Sequence, residues 1–413
     1  MATTGVESER GEPRRIPFAR GEICDEGRQA AARVLESGWL TTGPEVVAFE
    51  REFAEWVQAG DAVAVASCTA AIELALRALG LPRGAKVLTS TMTFCGAVHA
   101  IVHAGLVPVL ADVDPVTLCS DAAACAAASR RVGGVDAMVV THYAGFPAPV
   151  EELAEAAGLP LGRVVEDAAH ALGTLVGTRP VGTVSAATCF SFYATKNLPI
   201  GEGGMVTTDD PAIADHVRRA RLHGMSRDAW KRYLPGSTWR YDVGVAGLKA
   251  NMTDLQAAIG RAQLRRFAGW QDRRAQLASR YDQGLAGIPG LRLPARPARG
   301  RHAWHLYAVQ VEPEFGLGRD DLVAALDDRG VSCSVHFIPV HHFQYFKELL
   351  DAGLAGHHPR ADAAFERVLS LPLYPGLAPA DVDHVCELIA GLADRGAPGR
   401  DGSRLSRAGV APR

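Results

Sequence analysis

The 413-residue chain contains no Cys-x-x-Cys pair. Its eight cysteines (Cys24, Cys68, Cys95, Cys119, Cys125, Cys189, Cys333 and Cys386) are widely spaced, which argues against a zinc knuckle or a disulfide framework and leaves buried free thiols. No sign of charge dominates: 43 Lys and Arg face 46 Asp and Glu, a formal charge of −3. A chain without a basic excess is poorly equipped to hold a phosphate backbone, so nucleic acid is not an expected partner. No uninterrupted apolar run reaches the ~18 residues a membrane span needs. The most apolar stretch, 62–81, is broken by Ser67, Thr69, Glu73 and Arg77. The N-terminus opens on Thr, Glu and Arg without an apolar signal region, so the expected compartment is the cytoplasm. No internal repeat is visible.

Between two polar tails, 1–15 and 395–413, which are expected to be disordered, short apolar runs alternate with amphipathic segments. The runs 62–66, 86–89, 107–110, 137–141, 164–167, 188–192 and 205–207 read as strands. The segments 69–79, 94–103 and 150–157 read as helices. Strand–helix alternation predicts a mostly parallel sheet covered on both faces, in an α/β domain over 16–265. From 253 to about 286 the pattern is helical without strands. After the Pro/Arg/Gly-rich stretch 294–301, strand-like 305–311, helix 319–329, strand-like 331–337 and a final helix near 379–393 suggest a smaller α+β domain. The expected division is thus 16–265 and 266–394.

Ligands of open α/β sheets bind beyond the carboxyl ends of the strands. Three groups stand there. Ser67-Cys68-Thr69 joins a strand to a helix, where free N–H groups and hydroxyls suit an anion, although alone it reads as an ordinary cap. Asp167, within Glu166-Asp167-Ala168-Ala169-His170, ends another strand and suits a metal ligand, a helix cap or the counter-ion of a ligand cation. Lys196 follows the aromatic run Phe190-Ser191-Phe192-Tyr193, and desolvation there favours the neutral amine that attacks a carbonyl. An anion cradle, an acid and a partly buried lysine are together what pyridoxal phosphate requires, with Phe94 available to stack on its ring.

Ordered segments extend the pattern from about 21 to 392. They include Ser37-Gly38 through Thr42-Gly43-Pro44, Ser67-Cys68-Thr69-Ala70-Ala71, Thr141-His142-Tyr143-Ala144-Gly145 and Glu166-Asp167-Ala168-Ala169-His170-Ala171. Lys196-Asn197, Glu202-Gly203-Gly204, Asn251-Met252-Thr253-Asp254, His302-Ala303-Trp304-His305-Leu306 and Leu371-Pro372-Leu373-Tyr374-Pro375 follow. In these the chain resembles the DegT/DnrJ/EryC1/StrS sugar aminotransferases of the aspartate-aminotransferase fold (fold type I). Within that family it is most similar to members forming UDP-4-amino-4-deoxy-L-arabinose.

The resemblance implies a pyridoxal-phosphate-dependent transaminase and a role for each matching residue. Lys196 would join the cofactor covalently and move protons, and Asp167 would pair with the ring nitrogen. The Cys68 and Thr69 backbone, with the Ser67 and Ser191 hydroxyls nearby, would hold the phosphate. Phe94 would stack on the ring and His170 would lie near its hydroxyl. Asn251 would reach the phosphate of a neighbouring subunit, making a homodimer the working unit. Thr41, Thr42 and His336 are candidates for contacting the sugar nucleotide. The implied substrates are L-glutamate and a UDP- or dTDP-linked 4-keto sugar. A keto-cyclitol, a 3-keto sugar, or a regulator that binds the cofactor without turnover are the alternatives. Relatives that deoxygenate sugars carry histidine at the position of Lys196, which favours transamination here.

Members usually have glycine at the position of Cys68. A positive φ there would cost a cysteine roughly 1–3 kcal/mol of strain. No metal set is expected. His99 and His103 lack a third ligand, and the doublets His341-His342 and His357-His358 read as solvated loop in preference to a chance metal contact. Trp39, Trp304 and Phe337 read as core aromatics that could line a pocket.

Overall fold

The computed structural model describes residues 14–226 and 240–396. Helices α1 (Asp25–Ser37) and α2 (Pro44–Val57) precede β1 (Asp61–Val65), and the alternation continues through α3 (Cys68–Ala78), β2 (Lys86–Ser90), α4 (Cys95–His103), β3 (Val107–Ala111), α5 (Ala122–Arg131), β4 (Ala137–Thr141), α6 (Val150–Ala157) and β5 (Val164–Asp167). A small hairpin, β6 (Leu175–Val176) and β7 (Arg179–Pro180), leads to β8 (Ala187–Ser191), β9 (Gly204–Thr208), α7 (Pro211–Ala220) and the long α8 (Asp254–Leu285). The C-terminal part comprises β10 (Leu291–Arg292), β11 (Gly300–Arg301), β12 (Tyr307–Val311), α9 (Arg319–Asp327), α10 (Gln344–Leu349), α11 (Ala352–Ala355), α12 (Pro359–Arg367), β13 (Val368–Leu371) and α13 (Pro379–Gly396).

Seven strands form one sheet in the order β1-β9-β8-β5-β4-β2-β3. All run the same way except β9, which is antiparallel to both β1 and β8. Because β9 is reversed, its first residue lies at the edge where the other strands end: Gly204 pairs with Val65 on one side and Ser191 on the other. The strands are buried on both faces, as crossover helices require, and so read as continuous apolar runs. A three-stranded antiparallel sheet, β10-β12-β13, forms the core of the C-terminal part with α9 and α13.

Long α8 is opened by a reciprocal cap. The Thr253 hydroxyl accepts from the Gln256 N–H, and the Gln256 side chain accepts from the Thr253 N–H. The helix runs unbroken through 265–266, so the interdomain division expected there has no break in backbone structure. Ile16, expected in the large domain, is 2% exposed within the C-terminal core beside Leu277, Tyr307 and Val331. Its backbone bonds to Gly330 and Ser332. Arg14, assigned to a disordered tail, donates to Asp381 and to the Ala380 carbonyl. Likewise α13 extends to Gly396, whereas 1–13 and 397–413 of the expected tails lie outside the described residues.

The strand expected over 331–337 does not form. The segment makes single bridges, Val331 to Ile16 and Ser334 to Ser370, and then turns toward a cavity. Its apolar residues have two separate walls to cover rather than one pleated face. Among the described residues, no helix is long and apolar enough to cross a membrane.

Candidate active site

The carboxyl edge of the sheet opens on a cavity of about 620 Å³. Ser67, Cys68, Thr69, Phe94, Asp167, His170, Ser191, Lys196 and His336 all line it. These residues come from the ends of four strands, β1, β2, β5 and β8, from the start of α3, from the turns after β2, β5 and β8, and from the segment after Val331.

The cradle is the N-terminus of α3. Ser67 is its N-cap, and the Ser67 hydroxyl accepts from the Ala70 N–H at 3.1 Å. The first-turn N–H groups of Cys68 and Thr69 have no partners within the helix, the state that suits an anion. Cys68 is a helical residue and is not among the positive-φ residues, so the strain expected of a cysteine here does not arise. Its thiol turns inward instead, 3.4 Å from the Cys189 carbonyl and 3.8 Å from Asp167 Oδ1. What the cradle needs from glycine is at Gly204. A Cβ there would stand 2.5–2.7 Å from backbone atoms of Ser67 and Cys68.

Asp167 ends β5 with its carboxylate buried, and Oδ1 accepts from the Ala169 N–H at 3.1 Å. Burial pushes its carboxyl above the usual range, while that N–H and the Lys196 amine pull the other way. Strand alternation sends the preceding Glu166 to the opposite face. There it takes bonds from His142 Nε2 at 2.8 Å and the Thr188 hydroxyl at 3.1 Å.

Lys196 follows β8 in a tight turn in which its N–H donates to the Tyr193 carbonyl. Burial brings its ammonium down to about 8, with Asp167 opposing the shift. Burial and Lys196 likewise hold His170 well below the usual imidazole range. Its Nδ1 accepts from the Ala144 N–H at 3.2 Å, which leaves the ring proton on Nε2. His336, also neutralised by burial, falls to about 4.

Phe94 caps α4 with its ring 60% exposed toward the cavity, and lies 6.2 Å from Phe337. Phe337 lines the cavity as well, stacked 5.7 Å from His170, whereas Trp304 belongs to the C-terminal core and Trp39 donates to the Thr42 carbonyl.

Sequence reading overlooked His305 as a site residue. Its ring lies 4.2 Å from that of His170, and Nδ1 is 3.0 Å from the Asn197 side-chain oxygen Oδ1. The Asn197 amide donates in turn to the Ala303 carbonyl at 2.8 Å. The signal was its place in the His302–Leu306 segment, but no local spacing connects that segment with Lys196. Tyr193 and Glu202 also line the cavity wall.

Three expected site residues are not in this cavity. Thr42 and Asn251 line a separate, larger one of about 1110 Å³, where the Asn251 amide donates to the Thr42 hydroxyl at 2.7 Å. Thr41 is exposed beside them, and its carbonyl accepts from the Asp254 N–H.

The DegT/DnrJ/EryC1/StrS aminotransferase pattern matches residues 22–390. The chain belongs to this family. It is a pyridoxal-phosphate-dependent aminotransferase of the sugar-aminotransferase type. The spore coat polysaccharide biosynthesis protein SpsC of Bacillus subtilis is 45% identical over 376 residues, 91% of this chain and 96% of that protein. Among solved structures, the sugar aminotransferase Spr1654 from Streptococcus pneumoniae superposes in its PLP form with a TM-score of 0.82, at 29% identity, over 93% of this chain and 100% of that one. The aminotransferase TlmJ from Streptoalloteichus hindustanus gives 0.82 at 32% identity, over 92% and 99%. The cavity fits the cofactor: a helix N-terminus kept open by Gly204 faces it together with a buried carboxyl group and an amine of lowered basicity.

Proposed function

We propose that this family member transfers the amino group of L-glutamate to a nucleotide-linked 4-keto sugar, carried on UDP or dTDP, releasing 2-oxoglutarate. The supporting observation is that Lys196, Asp167 and the α3 N-terminus line one cavity of about 620 Å³. Pyridoxal phosphate, when bound, supplies an electron sink and carries the amine between the two substrates. The N–H groups of Cys68 and Thr69 and the Ser191 hydroxyl hold its phosphate. The Asp167 carboxylate would hold a proton at the ring nitrogen, His170 Nε2–H would bind the ring hydroxyl, and Phe94 would cover one ring face. Lys196 Nζ is the group that takes and returns a proton at substrate carbon, a role its lowered basicity suits. Binding energy from the remote nucleotide orients the ketone toward Nζ.

Asn251, with Thr42, serves the site of a second copy. This is supported by their separation, within one chain, from the cavity that Lys196 lines. His336, and Thr41 and Thr42 across the dimer, contact the sugar nucleotide.

Adding L-glutamate to the purified holoenzyme is expected to convert its near-visible absorbance to that of the pyridoxamine form and to release one equivalent of 2-oxoglutarate. A 4-keto sugar nucleotide then restores the original spectrum. A spectrum that glutamate leaves unchanged would remove the donor assignment. Restoration by a free keto-cyclitol but by no sugar nucleotide would remove the acceptor.

A further inference from the structure

The histidine doublet His341-His342 does not lie in a solvated loop. It closes a 3-10 turn, Val340–His342, and both rings point at one carboxylate on α12. His341 Nε2 is 2.9 Å and His342 Nε2 2.8 Å from the same oxygen, Asp362 Oδ1, and the three donor atoms all lie within 4.8 Å of one another. The geometry points to a site for one divalent transition-metal ion, of the zinc, cobalt or nickel class, bound by His341 Nε2, His342 Nε2 and Asp362 Oδ1.

The separations suit this. Two donors each about 2.0–2.1 Å from an ion stand about 2.9 Å apart at right angles and about 3.3 Å apart in the tetrahedral arrangement that zinc prefers, so the 2.9 and 2.8 Å separations seen here need open by only about half an ångström to seat it. Two imidazoles and one carboxylate select a borderline cation over calcium or magnesium, which prefer oxygen. The surroundings prepare the ligands. Thr91 Oγ1 is 2.6 Å from His341 Nδ1 and can accept its proton, which bares Nε2 for the ion. The buried His358 ring lies 4.8 Å from that of His341 and packs beside it without joining the cluster. The other histidine pair, His99 and His103, stacks at 5.8 Å and gathers no third ligand among the described residues.

The site lies outside the active-site cavity and bears on its wall. The Val340 N–H donates to the Thr91 carbonyl, just past β2, so the ion would tie this turn to both β2 and α12. Three residues earlier in the chain is Phe337, which lines the cavity. A bound ion is therefore expected to steady that wall without touching the reacting atoms. This inference does not rest on the choice of substrate.

The test is titration of the tag-free, chelator-treated holoenzyme with Zn²⁺ against a chromogenic chelator, and with Co²⁺ by visible absorption. One ion per chain is expected. Asp362→Asn and His342→Gln should each weaken binding by roughly tenfold or more. His357→Gln, an exposed neighbour, should leave it unchanged. Circular dichroism would verify that each variant is folded. No stoichiometric binding, or binding that both ligand variants retain, would overturn the assignment and leave Asp362 as an acceptor of two N–H bonds.

Discussion

At the scale of single residues, the chemistry depends on what burial does to charge. Desolvation lowers the Lys196 ammonium to about 8, and the same cavity raises the Asp167 carboxyl. A lowered lysine pKa puts the reactive neutral amine at lower pH. Capture of pyridoxal phosphate by the cofactor-free chain, followed by absorbance, should therefore accelerate about tenfold between pH 7 and 9 and then level off. Lys196→Ala should abolish the band. A rate still climbing beyond pH 10 would mean an ordinary, solvated amine. Lys196, Asp167 and Ser67–Thr69 were legible because each directly follows, or ends, an apolar run. His305 was not, because a histidine reaching the site from 109 residues downstream of Lys196 has no local pattern to betray it.

Elements bring these side chains to one edge. The reversal of β9 sets Gly204 against the start of α3, and the lack of a side chain at 204 lets the cradle stand between β1 and β8. In Gly204→Ala the new Cβ meets only backbone, which cannot swing away. The variant should lose about 1–3 kcal/mol of stability in urea titrations. Its affinity for pyridoxal phosphate should fall with it, and a variant that keeps both would show that the cradle is not so constrained. Several helices escaped sequence reading for a plain reason. Helix α5 is largely alanine and does not show the contrast of large apolar and polar faces that marks an amphipathic helix, and α1 buries only the small or medium side chains of Ala30 and Val34 beside Gly27.

For the whole molecule, the N-terminal segment crosses back to complete the C-terminal core. Ile16 sits among Leu277, Tyr307 and Val331, and Phe18 reaches the active-site cavity two residues later. Ile16→Ala should cost about 2–5 kcal/mol by chemical denaturation. A loss below 1 kcal/mol would mean that the segment is not integral to that core. The C-terminal part is in this sense not a separate continuous stretch of chain, and only long-range packing reveals it.

Strand–helix alternation, the ends of the strands and the order of short motifs are local properties, carried by residue type and spacing, and from them the α/β class, the family and the Lys196–Asp167 pair could be read directly. Packing decided the rest. It turned the Cys68 thiol inward from an unstrained helical turn, set Thr42 and Asn251 in a cavity apart from Lys196, and gathered His341, His342 and Asp362 around one point. Such meetings depend on distances between residues remote in the chain, and those distances exist only once the sheet and its covering helices have closed.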